Sequence, residues 1–259
     1  MTATTLSAVS PTPARTKRAS LRRLTLIELR KMADTRAGIA LLAVTVLIAV
    51  VMMLVLPFAS HDYEQSLSYF FRNTLMPVGA LLPVLGILAA TSEWSQRTAL
   101  STFTLVPHRE RIAAAKVFAV VLLAVLATAL CLVTAALANL IGHAQGANGG
   151  WELSGTILGN GLLSQLFGML IGFSFGLLLM SSPFAIVAYF LVPTVIQLLG
   201  GLVNQLTKPL HWFDQSALTK LSDEHVSGKS WAQIATTLAL WLLVPLALGL
   251  IRLNRHEVK

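Results

Sequence analysis

Six stretches of this chain are apolar over about the roughly 20 residues that a helix needs to cross the hydrocarbon core of a bilayer. They run from about 38 to 58, 74 to 90, 113 to 141, 156 to 180, 183 to 206 and 231 to 251. Inside lipid there is no water to satisfy backbone N–H and C=O groups, so such a run must close its own hydrogen bonds as a helix. The expected class is therefore an all-α integral membrane protein with six transmembrane helices. Composition agrees: 55% of the 259 residues are hydrophobic and only 12% are charged, whereas a soluble domain carries about 25% charged residues. The polar stretches between the runs are too short for a soluble domain, so residues 20–259 read as one transmembrane domain.

The formal net charge of +8 would point to nucleic acid in a soluble protein. Here the basic residues flank the spans, and a membrane reading without nucleic acid takes precedence. Eight Lys and Arg precede the first span, four lie between Arg97 and Lys116, and three follow the last span (Arg252, Arg255 and Lys259). The opposite loops hold only Arg72, Lys208, Lys220 and Lys229. The positive-inside rule then places both termini in the cytoplasm of a multi-pass cell-membrane protein.

Residues 1–19 are rich in Thr, Ala, Ser and Pro and read as a disordered cytoplasmic tail. The first apolar run is too long for a signal-peptide core and has no small-residue cleavage site soon after it. Ser20 can cap a helix over the segment that follows. On that helix Leu21, Leu24, Leu29 and Met32 fall on one side, with Arg22, Arg23, Arg30 and Asp34 largely opposite and Leu26 interrupting the polar face. Such a helix fits an anionic lipid surface; a plain extension of the first span is the alternative. Between the first two spans, Tyr63, Tyr69, Phe70 and Phe71 suit a separate aromatic interfacial helix. Ser181 and Ser182 leave room only for a tight hairpin between spans four and five, with Pro183 opening the next helix.

No catalytic constellation is visible. The six histidines lie in loops, tails or span edges, no two of them at i, i+4, and Cys131 is the single cysteine. No metal-ligand spacing occurs. No acid lies inside the expected spans, which argues against a buried carboxylate relay. Gly228-Lys229-Ser230 ends like a phosphate-binding loop, but the required earlier Gly is Asp223. The chain reads as non-catalytic, without a metal or a cofactor of its own.

Two stripes mark the spans themselves. Asn160, Ser164, Gly168, Gly172 and Gly176 recur every four residues in the fourth span, a spacing that lets backbones approach closely. The neighbour is either another helix of the same chain or a second subunit. In the fifth span Pro193, Gln197, Gly200, Gly201 and Asn204 share one face. Polar groups in hydrocarbon need partners, so this face serves interhelical hydrogen bonds or lines a substrate path.

The remaining feature is a polar island from Thr91 to Lys116, which holds Glu93, Arg97, Arg109, Glu110, Arg111 and Lys116 between two apolar runs. Its order is Glu93, Arg97-Thr98, an uncharged helical turn, Pro107-x-Arg109, then Lys116 opening the next span. This order resembles the link between the second and third spans of ABC-2 type transporter permeases, the membrane subunits of ABC exporters. Val106-Pro107 stands where that family often shows Leu-Pro. Six spans, cytoplasmic termini and an amphipathic lead-in helix also fit the family.

The resemblance implies a cytoplasmic coupling helix that docks on a separate ABC ATP-binding subunit, with Glu93, Arg97, Thr98, Leu100, Phe103, Pro107 and Arg109 as its residues. It also implies a homodimer or a pair with a related permease, and ATP and magnesium on the partner subunit. A coupling role suits the residues, since Leu100 and Phe103 can enter a cleft without desolvating many charges. Glu93 and Arg97 as mere boundary markers of the membrane are the alternative. From another class, the alternative is a stand-alone membrane protein, a secondary carrier or a membrane scaffold, without an ATPase partner.

Overall fold

The computed structural model describes residues 20–59, 65–95, 109–202, 210, 212, 214–222 and 226–255. The α-helices are Leu21–Asp34 (α1), Arg36–Ala59 (α2), Leu67–Ser95 (α3), Arg109–Ala144 (α4), Gly155–Leu179 (α5), Ser182–Leu202 (α6), Gly228–Leu238 (α7) and Val244–Arg255 (α8). A π-helical turn, Ala239–Leu243, joins α7 and α8 into one rod, and a 3-10 segment, Gln215–Ser222, precedes it. No strand occurs among the described residues. Six helices are long and apolar enough to cross a membrane: α2, α3, α4, α5, α6 and the α7–α8 rod.

Three spans are longer than their apolar runs. The second begins at Leu67, not near Thr74. Tyr69, Phe70 and Phe71 form its first turns rather than a separate interfacial helix, and Phe70 and Phe71 are fully buried. This end is anchored on the loop before α5: Leu67 N donates to Gly150 O at 3.0 Å and Ser68 Oγ to Glu152 O at 2.7 Å. The third span, α4, is 36 residues long, about 54 Å at 1.5 Å per residue, well beyond a core of about 30 Å. Lys116 therefore lies two turns inside α4 instead of opening it. The last span runs from Gly228 to Leu253.

The centre of the bundle is the crossing of α3 and α5, the most extensive helix–helix contact. A Cβ on Gly172 would lie 2.1 Å from Pro83 O, and one on Gly86 would lie 2.2 Å from Met169 O. Only glycine permits backbones to meet this closely. Phe173, Met169, Leu82 and Leu85 fill the space around the crossing. At the periphery α2 turns Val44, Leu47, Val51, Leu54 and Phe58 outward. Only 11% of its apolar window is buried, against 56% for α3.

Local chemistry sets the connections. Ser20 caps α1, its hydroxyl accepting from Arg23 N at 3.3 Å. Thr35 Oγ1 accepts from Gly38 N at 3.1 Å where α2 begins, and a Cβ on Gly38 would collide with Met32 O. Met180 ends α5 in a left-handed conformation (φ 53°) and donates its N–H to Gly176 O, making the tight hairpin into α6. In the last span Pro245 has no N–H to offer Trp241 O one turn earlier. That carbonyl lies 3.3 Å from the Ser174 hydroxyl of α5 as the second acceptor of a shared hydrogen bond, the nearer acceptor being Ile171 O of Ser174's own helix at 2.7 Å.

Candidate functional site

Where the polar island meets the bundle, four side chains close into a ring of alternating charge. Lys116 Nζ of α4 lies 2.8 Å from Glu93 Oε2 of α3 and 3.0 Å from Glu28 Oε2 of α1. Lys31 Nζ of α1 lies 2.7 Å from Glu28 Oε1 and 3.4 Å from Glu93 Oε1. The Lys116, Glu93 and Glu28 side chains are 5%, 4% and 9% exposed, and Lys31 is 32% exposed. Lys116 also donates to Ala89 O at 2.6 Å and to Ser92 Oγ at 2.9 Å.

Burying charges costs several kcal/mol per ion unless partners and hydrogen bonds compensate closely. Here each carboxylate meets both ammonium groups, the ring sums to zero charge, and backbone and hydroxyl oxygens take up donors of Lys116. Burial by itself would lower the pKa of the Lys31 ammonium, but Glu28 and Glu93 outweigh it and hold it above the ordinary lysine value. The arrangement pins α1 to the facing ends of α3 and α4. It also joins the last turn of α3 to α4 two turns in, at Glu93 and Lys116 near the two ends of the polar island.

Of the residues that the resemblance assigns to coupling, Glu93 is thus part of this ring, bonded to Lys116 and Lys31. Arg97, Thr98, Leu100, Phe103 and Pro107 lie outside the described residues. Arg109 is the first residue of α4, and its side chain is outside the described set. Glu28 is absent from the sequence-derived candidates. Its one signal is position: an acid one turn from Leu24 and from Met32, in the middle of the apolar face of α1. There it is buried beside Met32. The expectation that no acid lies inside a span also changes, because Glu93 falls within the longer second span, Leu67–Trp94.

The small-residue stripe of α5 divides in two. Gly172 and Gly176 meet α3 of the same chain, at Pro83 and at Ile87 and Ala90, whereas Ser164 and Gly168 line a cavity of about 430 Å³ between α3, α5, α6 and the 3-10 segment. In α6, Gln197 donates to Asp214 Oδ1 at 3.2 Å. Gln197, Gly200 and Gly201 line a second cavity, of about 350 Å³. Asn204 lies outside the described residues. Asp214, on the loop after α6, is buried and also accepts from Ser216 N at 3.1 Å and from the Ser216 hydroxyl.

This is the architecture of a helical, multi-pass membrane protein, in which the described residues include a buried ion cluster. The model of no known protein family matches the chain, and no curated protein matches it.

Proposed function

We propose that this chain is the permease subunit of an ATP-driven ABC exporter, forming the substrate path and taking its energy from a separate ATP-binding subunit. The observation that carries this reading is the ion ring at the root of the polar island. A link whose ends are clamped together, and clamped to the lead-in helix α1, moves as a unit when a partner pushes on it. Force applied to the island reaches α1, α3 and α4 at once. The residue order from Glu93 to Lys116 supplies the family resemblance, and the distribution of Lys and Arg supports placing the island and both termini in the cytoplasm of the cell membrane.

On this reading the chain pairs with a second copy or a related permease, and two partner ATPases bind ATP and magnesium. The coupling helix carries Arg97, Leu100 and Phe103 into the partner. The test is copurification: the tagged chain, expressed with ATPase subunits encoded beside it, retains one of them and stimulates its hydrolysis. Arg97→Glu or Phe103→Asp abolishes stimulation or binding while membrane insertion persists. A chain that captures no ATPase, or variants with wild-type stimulation, leaves a stand-alone carrier or scaffold as the reading.

A further inference from the structure

The cavity of about 350 Å³ at the last turn of α6 holds one charged group in its described lining, the Asp214 carboxylate. Asp214 is 8% exposed. Among the described residues Glu28, Asp34 and Glu93 make ion pairs, and Asp214 makes none. Neutral donors hold it instead: Oδ1 accepts from Gln197 Nε2 at 3.2 Å and from Ser216 N at 3.1 Å, and Oδ2 accepts from the Ser216 hydroxyl. A carboxylate offers about four lone-pair sites, so Oδ2 keeps one acceptor position. These dipoles fix the group in place without cancelling its charge. A buried charge lacking a counter-charge is costly, and a cation entering the cavity relieves that cost.

The rest of the lining says what kind of cation fits. The volume falls within the roughly 300–1,000 Å³ of small-molecule sites. Ile196 and Leu210 give apolar walls. Gly201 leaves the helix surface bare between them, since a Cβ there meets nothing within 4 Å. Gln197 and Gly201 are exposed, so the cavity opens at the surface of α6. A metal ion of the oxygen-seeking kind collects six or so oxygen ligands; a single carboxylate beside apolar walls suits an organic cation instead.

We propose that this cavity binds an organic ammonium ion, its N–H groups donating to Asp214 and its apolar body lying against Ile196 and Leu210 over Gly201. The bond is charge-assisted on both sides, the strong kind. Lys220 is engaged by the Gln233 side chain. Lys208 and His211 lie outside the described residues, so their replacement is one arm of the test. Binding of this kind requires no ATPase, and the site stands or falls independently of the proposed coupling.

Equilibrium dialysis of the full chain in a neutral maltoside detergent at neutral pH tests the site, with radiolabelled phenethylammonium as the probe. The wild-type protein takes up one saturable equivalent. Phenethyl alcohol, a neutral molecule of the same shape, and the anion phenylacetate each displace it at least about tenfold less well than unlabelled probe. Asp214→Asn weakens binding at least about tenfold, as expected for loss of a charge-assisted hydrogen bond. Gly201→Leu weakens it with the carboxylate in place, because the new side chain enters open space. The double variant Lys208→Gln with His211→Gln binds as the wild type does. Absence of saturable uptake, equal displacement by phenethyl alcohol, or wild-type binding by folded Asp214→Asn or Gly201→Leu overturns the proposal. So does markedly tighter binding by the Lys208 and His211 double variant, which would assign Asp214 a counter-ion from its own chain.

Discussion

Lys116 Nζ lies 2.8 Å from Glu93 Oε2, although the two residues stand at opposite ends of the polar island. Both are nearly inaccessible, and Glu28 completes the contact from α1 at 3.0 Å. Lys116→Met removes one cation from a ring of two and leaves two buried carboxylates sharing Lys31. Removing one member of a buried pair costs about 3–5 kcal/mol. A clear fall in melting temperature of the detergent-purified protein is expected. The double variant Glu28→Gln with Lys116→Met loses less than the sum of the single changes. Additive losses would separate the two residues energetically.

Lys31 gives the ring a pH dependence on the alkaline side. Its pKa is raised in the folded chain above the ordinary value of 10.5. A raised pKa means that the folded state holds its proton more tightly, so the contribution is complete below pH 10.5 and lost as pH rises through the folded value. Thermal stability is expected to drop more steeply above pH 10.5 in the wild-type chain than in Lys31→Met. Matching alkaline profiles would remove Lys31 from the account.

The α3–α5 crossing predicts a contrast between two glycines of one helix. Gly172→Ala drives a methyl into Pro83 O, whereas a Cβ on Gly159 meets nothing within 4 Å. Overpacking costs about 1–3 kcal/mol, so Gly172→Ala melts early. Gly159→Ala melts with the wild type or slightly above it, since alanine is the better helix former. Comparable melting of the two variants would contradict the close approach.

Asp214 organises the segment beyond α6. It accepts from the Gln197 amide, the Ser216 amide and the Ser216 hydroxyl, while Thr237 Oγ1 donates to its backbone carbonyl at 3.1 Å. Asp214→Ala removes every side-chain acceptor at once and costs about 1.5–3 kcal/mol, the range for hydrogen bonds to a charged group. Limited proteolysis between α6 and α7 is expected to speed up markedly. Gln197→Leu leaves the Ser216 bonds in place and speeds it much less.

The sequence by itself determined the class and the count. Apolar runs of bilayer length have one way to satisfy their backbone, so six helices follow from hydropathy without any knowledge of packing. Local rules reached some joints as well: the Ser20 cap and the Ser181-Ser182 hairpin follow from the chemistry of neighbouring residues. They failed where a helix continues past its apolar run, because Phe70 and Phe71 look interfacial until the helix core that buries them is known.

Only the tertiary structure decided what the charged residues do. Glu28, Lys31, Glu93 and Lys116 come from three helices, and nothing in their spacing says that they meet. An ion pair is a matter of a few ångströms in three dimensions, and burial makes that distance count. The same holds for Arg72 and Gln215, which share a cavity only because α3 and the 3-10 segment fold beside α5. Hydrophobic length is a property of the chain; the surroundings of a charge are a property of the fold.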